Sequence, residues 1–160
     1  MGNRLRETAA HWVVPAAFLA HCAEELPRFP AWATEHFGTT TTRFYLASHA
    51  VLVPWVLSNG AKAMRRPDDR RAVFASAMTA SALGLNGVFH LVTTRLFREY
   101  SPGVVTGATL MLPASVFALA RIRRSGVLTD EDLVGAFLAG TALSTAAVGS
   151  LYVDMPRLGG

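Results

Sequence analysis

The sequence predicts an all-α fold, a single domain over residues 1–160 built as a polytopic bundle of about five transmembrane helices. Three observations carry this. Charged residues make up 16% of the chain and hydrophobic residues 51%, whereas soluble domains carry about 25% charge. Five stretches, 8–23, 44–61, 72–94, 100–120 and 133–153, contain no Asp, Glu, Lys or Arg. Those stretches are continuously apolar and rich in Ala, Leu and Val, without the alternation a lipid-facing strand needs. A hydrocarbon core about 30 Å thick takes about 20 helical residues, so four stretches fit directly. The first reaches span length if Glu24 and Glu25 lie within protein.

The elements follow in order. The first span, about 8–26, stops ahead of Pro27 and holds Pro15 as a kink point. Segment 28–38 carries Phe29, Trp32 and Phe37 among polar residues and is expected to lie at the membrane interface, where Trp concentrates. The second span, about 42–64, is interrupted by Pro54, and Pro67-Asp68-Asp69 then marks a polar turn. The third, 72–94, is the longest uncharged run. After Tyr100-Ser101-Pro102-Gly103 the fourth covers 102–120, with Pro102 near its start, where proline is tolerated. Thr129-Asp130-Glu131-Asp132 supplies an N-cap and an acidic first turn for the fifth, 132–153. Small residues such as Ala77, Ala80, Gly84 and Gly140 would let helices approach closely.

Five spans put Arg4, Arg6, Lys62, Arg65, Arg66, Arg70, Arg71, Arg121, Arg123 and Arg124 on one side, against Arg28, Arg43, Arg95, Arg98 and Arg157 on the other. The excess predicts a cytoplasmic N-terminus and an outside C-terminus. Topology thus accounts for the net charge of +4, and without a basic patch interleaved with aromatics no nucleic-acid partner is expected. Arg4 and Arg6 ahead of an apolar run also fit a signal peptide, but cleavage would discard the most chemically loaded segment. A lipoprotein signal ending at Cys22 fails because His21 stands where a small residue is needed. Cys22, the single cysteine, excludes an intrachain disulfide and any multi-cysteine metal site.

Ionisable groups inside spans are costly and so mark candidate sites. His21, Glu24 and Glu25 are spaced i, i+3, i+4 on one helical face. Asn86 and His90 share a face of the third span, and His49 lies near the start of the second. Alternating topology brings His21, His49 and His90 to the same leaflet, one to two turns below its surface, with Tyr45, Thr106, Tyr152 and Asp154 at similar depth. Imidazole and carboxylate are ligands for a divalent metal ion, zinc first, with iron or manganese as options. On that reading His21, Glu24, His49 and His90 bind the ion, Glu25 moves protons and Asn86 orients substrate or a ligand. The spacing leaves two alternatives open: a metal-free proton-transfer pair, and a polar cluster that only links helices.

The word His21-Cys22-Ala23-Glu24-Glu25 resembles the signature of the HXXEE family of small bacterial membrane proteins. Asn86-Gly87-Val88-Phe89-His90 and Tyr100-Ser101-Pro102-Gly103 are similar to further motifs of that family, in the same order, the similarity covering approximately 11–120. The resemblance implies a membrane enzyme and singles out His21, Glu24, Glu25, Asn86 and His90; it supplies no substrate. The leading expectation is a metal-dependent membrane enzyme, a hydrolase, acting on a lipid-like or amphipathic small molecule. A small transporter or ion-binding membrane protein and a structural membrane subunit are the alternatives. A transporter would need a polar path through both leaflets, and the inner halves of these spans are poor in polar groups.

Overall fold

The computed structural model describes residues 2–38 and 40–150, with side chains from Ala10 onward. Among them all regular structure is helical: α1 (Gly2–Glu25), α2 (Phe29–His36), α3 (Thr42–Arg65), α4 (Arg70–Phe97), α5 (Val104–Ser125) and α6 (Asp130–Gly149). Tyr152, Asp154 and the end of the fifth expected span lie outside the described residues.

Local chemistry sets the helix ends. Thr41 opens α3 by accepting the amide of Phe44, and Asp69 opens α4 by accepting those of Arg71 and Ala72. Thr129 and Asp132 close a full capping box on α6. Gly126, at φ 70, terminates α5 in the left-handed conformation glycine adopts freely. Pro15 and Pro54 stand inside α1 and α3 without ending either helix.

Helices α4, α5 and α6 are each long and apolar enough to cross a bilayer. Helices α1 and α3, at 24 residues each, reach about 36 Å at the helical rise. They fall short in apolarity because His11, His21, Glu24 and Glu25 interrupt one and Ser48, His49, Ser58 and Asn59 the other. Three of the five expected spans therefore qualify by both measures. In α6 only 11% of the most apolar window is buried, so its Val134, Phe137 and Leu138 face outward, the reverse of a helix built for water.

Helix α4 is the centre of the bundle, packed against α3, α5 and α6, while α1 packs on α3 and α5. Close approach depends on small residues. A methyl group on Gly60 would come within 2.8 Å of the Pro15 ring, and one on Gly140 within 2.7 Å of the Met78 carbonyl oxygen. Val14, Phe18, Val56, Leu83 and Met111 fill the main core. Buried polar pairs cross-link it, His11 Nδ1 to Ser76 Oγ and Asn59 Nδ2 to Thr79 Oγ1, both at 3.0 Å. The segment expected at the interface forms α2, whose Phe29 and Trp32 pack with Phe37 and Tyr45 as a second cluster, with Phe89 and Phe97 of α4 beside it. The ion pair Arg70–Asp132 joins the starts of α4 and α6, so the basic loops gather at the end of α4 opposite His90.

Candidate functional site

The final turn of α1, the first turns of α3 and α5 and the last third of α4 meet at one end of the bundle. His21 and His90 are completely buried there, and Glu25 is 5% exposed. Glu25 Oε1 lies 3.3 Å from His21 Nε2 and 3.1 Å from His90 Nε2. One ligand atom from each of these three residues fits within a span of 4.8 Å. The other carboxylate oxygen, Oε2, accepts the Tyr45 hydroxyl at 3.1 Å and stands 3.7 Å from His49 Nε2. The imidazoles of His21 and His90 meet edge to face at 4.8 Å between centroids.

The hydrogen bonds behind the rings fix which nitrogens look inward. His49 Nδ1 lies 2.9 Å from the Tyr45 carbonyl oxygen, which can only accept, so Nδ1 carries the proton and Nε2 faces Glu25. His21 Nδ1 lies 2.9 Å from Thr106 Oγ1, and Thr106 donates its one hydroxyl proton to Glu24 Oε2 at 2.5 Å. The hydroxyl oxygen is left to accept, so His21 Nδ1 donates and its Nε2 presents a lone pair. Asn86 Nδ2 donates to that lone pair at 3.0 Å. His90 Nδ1 pairs with Ser101 Oγ at 3.0 Å, and its Nε2, close to Glu25 but poorly aligned with it, forms no hydrogen bond. A fully buried polar atom without a partner calls for an explanation. His21, Glu25 and His90 supply one: their ligand atoms lie close enough together to hold a metal ion, once the Asn86 amide turns off His21 Nε2. Two imidazoles and a carboxylate form a donor set typical of catalytic zinc, and partners on the far ring nitrogen are what such ligands have.

Glu24 is occupied elsewhere. Its Oε1 accepts from Tyr100 Oη at 2.5 Å and from the amides of Gly103 and Val105 at 3.2 and 3.1 Å. Its Oε2 accepts from the Thr106 amide at 2.7 Å as well as the Thr106 hydroxyl. A carboxylate thus fills the anion-binding N-terminus of α5. Giving up its proton to so strong an acceptor is unfavourable for Tyr100, in the loop before α5, and that hydrogen bond, with desolvation and the charge on Glu24, pushes its phenol up to about 12.

Of the sequence-expected residues, then, the structure brings His21, Glu25 and His90 together, with His49 and Asn86 in direct contact, and ties Glu24 to them only through Thr106. The sequence sets Tyr45 and Thr106 level with the histidines without assigning them a role, and it marks Ser101 and Gly103 only as part of a family-like word. Gly103, at φ 104, lies with bare backbone against the cluster, where a Cβ would sit 2.6 Å from His21 Cε1 and 2.9 Å from His90 Cε1. The word Tyr100-Ser101-Pro102-Gly103 was the signal for both. Beyond it, Gly107–Met111 forms one π-helical turn in α5, and Gly107 packs on Gly87 of α4, where a Cβ on Gly87 would come within 2.9 Å of the Gly107 carbonyl oxygen. Such turns are frequent at functional sites.

The family described as "protein of unknown function with HXXEE motif" matches residues 12–118. No curated protein and no solved structure matches the chain.

Proposed function

We propose that this chain, which belongs to the HXXEE family, is a metal-dependent integral membrane enzyme, with zinc the favoured ion, that hydrolyses a lipid-like or amphipathic small molecule. It crosses the bacterial plasma membrane five times, N-terminus in the cytoplasm. In support, α1 and α3 match the others in length, and their polar residues are drawn to the site and to the buried pairs. The observation that carries the reading is the convergence of His21, Glu25 and His90 on one buried point, with His90 Nε2 unbonded.

His21, His90 and Glu25 would hold the ion, which would supply Lewis acidity there. The chain's own residues do the rest. Thr106 and Ser101 hold the far nitrogens of His21 and His90, so both rings keep their orientation. Tyr45 donates its hydroxyl to Glu25 Oε2, and His49 Nε2, facing the same oxygen, can take up or return a proton. Asn86, on the cavity side, orients the reacting group or a ligand. Phe29 of α2 covers the His90 ring at 5.8 Å between centroids and keeps bulk water off that side.

Metal analysis of the purified protein tests this directly. One zinc per chain in the wild type and none in His90→Ala is the expected result; a wild type without stoichiometric metal overturns it. If His21→Gln and Glu25→Gln variants kept full function in cells, the cluster would be a link between helices and nothing more.

A further inference from the structure

A cavity of about 560 Å³ opens from the site. Glu25, Tyr45, His49 and Asn86 form its polar end, and from there it runs between α3 and α4 past Leu52, Trp55 and Leu83. Tyr45 and Trp55 both line it and are ten residues apart on α3, hence about 15 Å at the helical rise. That is half of a hydrocarbon core about 30 Å thick, the length of a lipid chain in one leaflet. The cavity also opens sideways. Val51 of α3, 73% exposed, and Ala147 of α6, also exposed, both line it.

Charge narrows the occupant further. Among the described residues no Lys or Arg lines the cavity, so apart from the proposed ion, whose charge the Glu25 carboxylate partly offsets, a phosphate or carboxylate head would meet no cationic side chain. The N-terminus of α5, an anion site beside the cluster, is already filled by the Glu24 carboxylate. The polar end instead offers a hydroxyl, an amide, an imidazole and a carboxylate, partners suited to a hydroxyl or a neutral ester.

Resting on the enzymatic reading above, we infer that the substrate is an uncharged single-chain lipid taken from the bilayer. It passes sideways between α3 and α6, lays its chain along α3 as far as Trp55 and sets its head against Glu25, His49 and Asn86.

A diazirine-tagged long-chain alcohol, photolysed with the protein in nanodiscs, tests this. Cross-links should map to the α3 segment 48–55, and the untagged alcohol should compete at least about tenfold better than an alkyl phosphate of equal length. Ala147→Trp, which closes the opening from an exposed position, should reduce labelling about tenfold or more. Leu52→Trp should reduce labelling by the long chain while sparing a short-chain analogue, a selectivity that misfolding would not produce. Equal competition by the phosphate, or labelling scattered over the outer faces and indifferent to Ala147→Trp, overturns the inference. Zinc measured in the same samples separates the two readings. Zinc without labelling sinks only the lipid slot, and labelling without zinc sinks only the metal centre.

Discussion

Glu24 and Glu25 are neighbours in the chain, yet they occupy opposite chemical settings. Glu24 accepts from three backbone amides and two hydroxyls at the start of α5; Glu25 faces three imidazoles and a phenol. One carboxylate is saturated by donors that cannot leave, which makes it an anchor. The other is surrounded by nitrogens that can exchange protons or bind cations, which suits it to the role proposed above. The contrast teaches that a doubled acid on a helix end can serve two elements at once, because adjacent positions are turned about 100° apart. Thr106 joins the two settings, as it donates to Glu24 and accepts from His21.

Substitutions that exchange or weaken these settings should have graded effects. Glu25→Gln removes a proposed ligand, and zinc affinity should fall by more than about 100-fold; retention of tight binding would assign the ion to other residues. Glu24→Gln and Thr106→Val leave the three ligands in place but release the His21 ring, so a loss of about 10- to 100-fold is expected. Ring-nitrogen NMR of the metal-free variants should show His21 no longer held with its proton on Nδ1, a change that mere loosening of α5 would not single out. His49→Ala should cost less than about tenfold in metal affinity, because His49 stands at the second carboxylate oxygen, while lowering turnover more strongly. The smallest effect is spectroscopic. The Tyr100 phenol titrates near 12 through its bond to Glu24, so absorbance titration of Glu24→Gln should bring it back toward about 10. The raised value means that the stability this bond contributes is complete below pH about 10 and disappears as pH climbs through about 12.

Much of this could be read from the chain. Uncharged runs located the long helices, Thr129 to Asp132 announced the start of α6, and the imidazoles of His21, His49 and His90 were placed at a common depth by counting along alternating spans. Helical spacing could not separate the duties of Glu24 and Glu25, since both fall on the face that carries His21. The separation depends on where the N-terminus of α5 docks, a tertiary fact. Nor could an apolar run reveal that residues 107–111 wind as a π turn, because composition is indifferent to which carbonyl an amide chooses. Segment 28–38 is expected at the membrane interface from its Trp and polar residues, but that its aromatics pack against α3 and α4 is a preference only the neighbouring helices reveal.

The wide turn at Gly107–Met111 sets the angular phase of everything before it in α5. Wound as ordinary α-helix with no residue removed, the same segment would swing Gly103 to Thr106 round by up to about 100°. The amide cradle would then turn away from α1, and the imidazole steered through Thr106 would lose its bearing although no residue of the cluster had been changed.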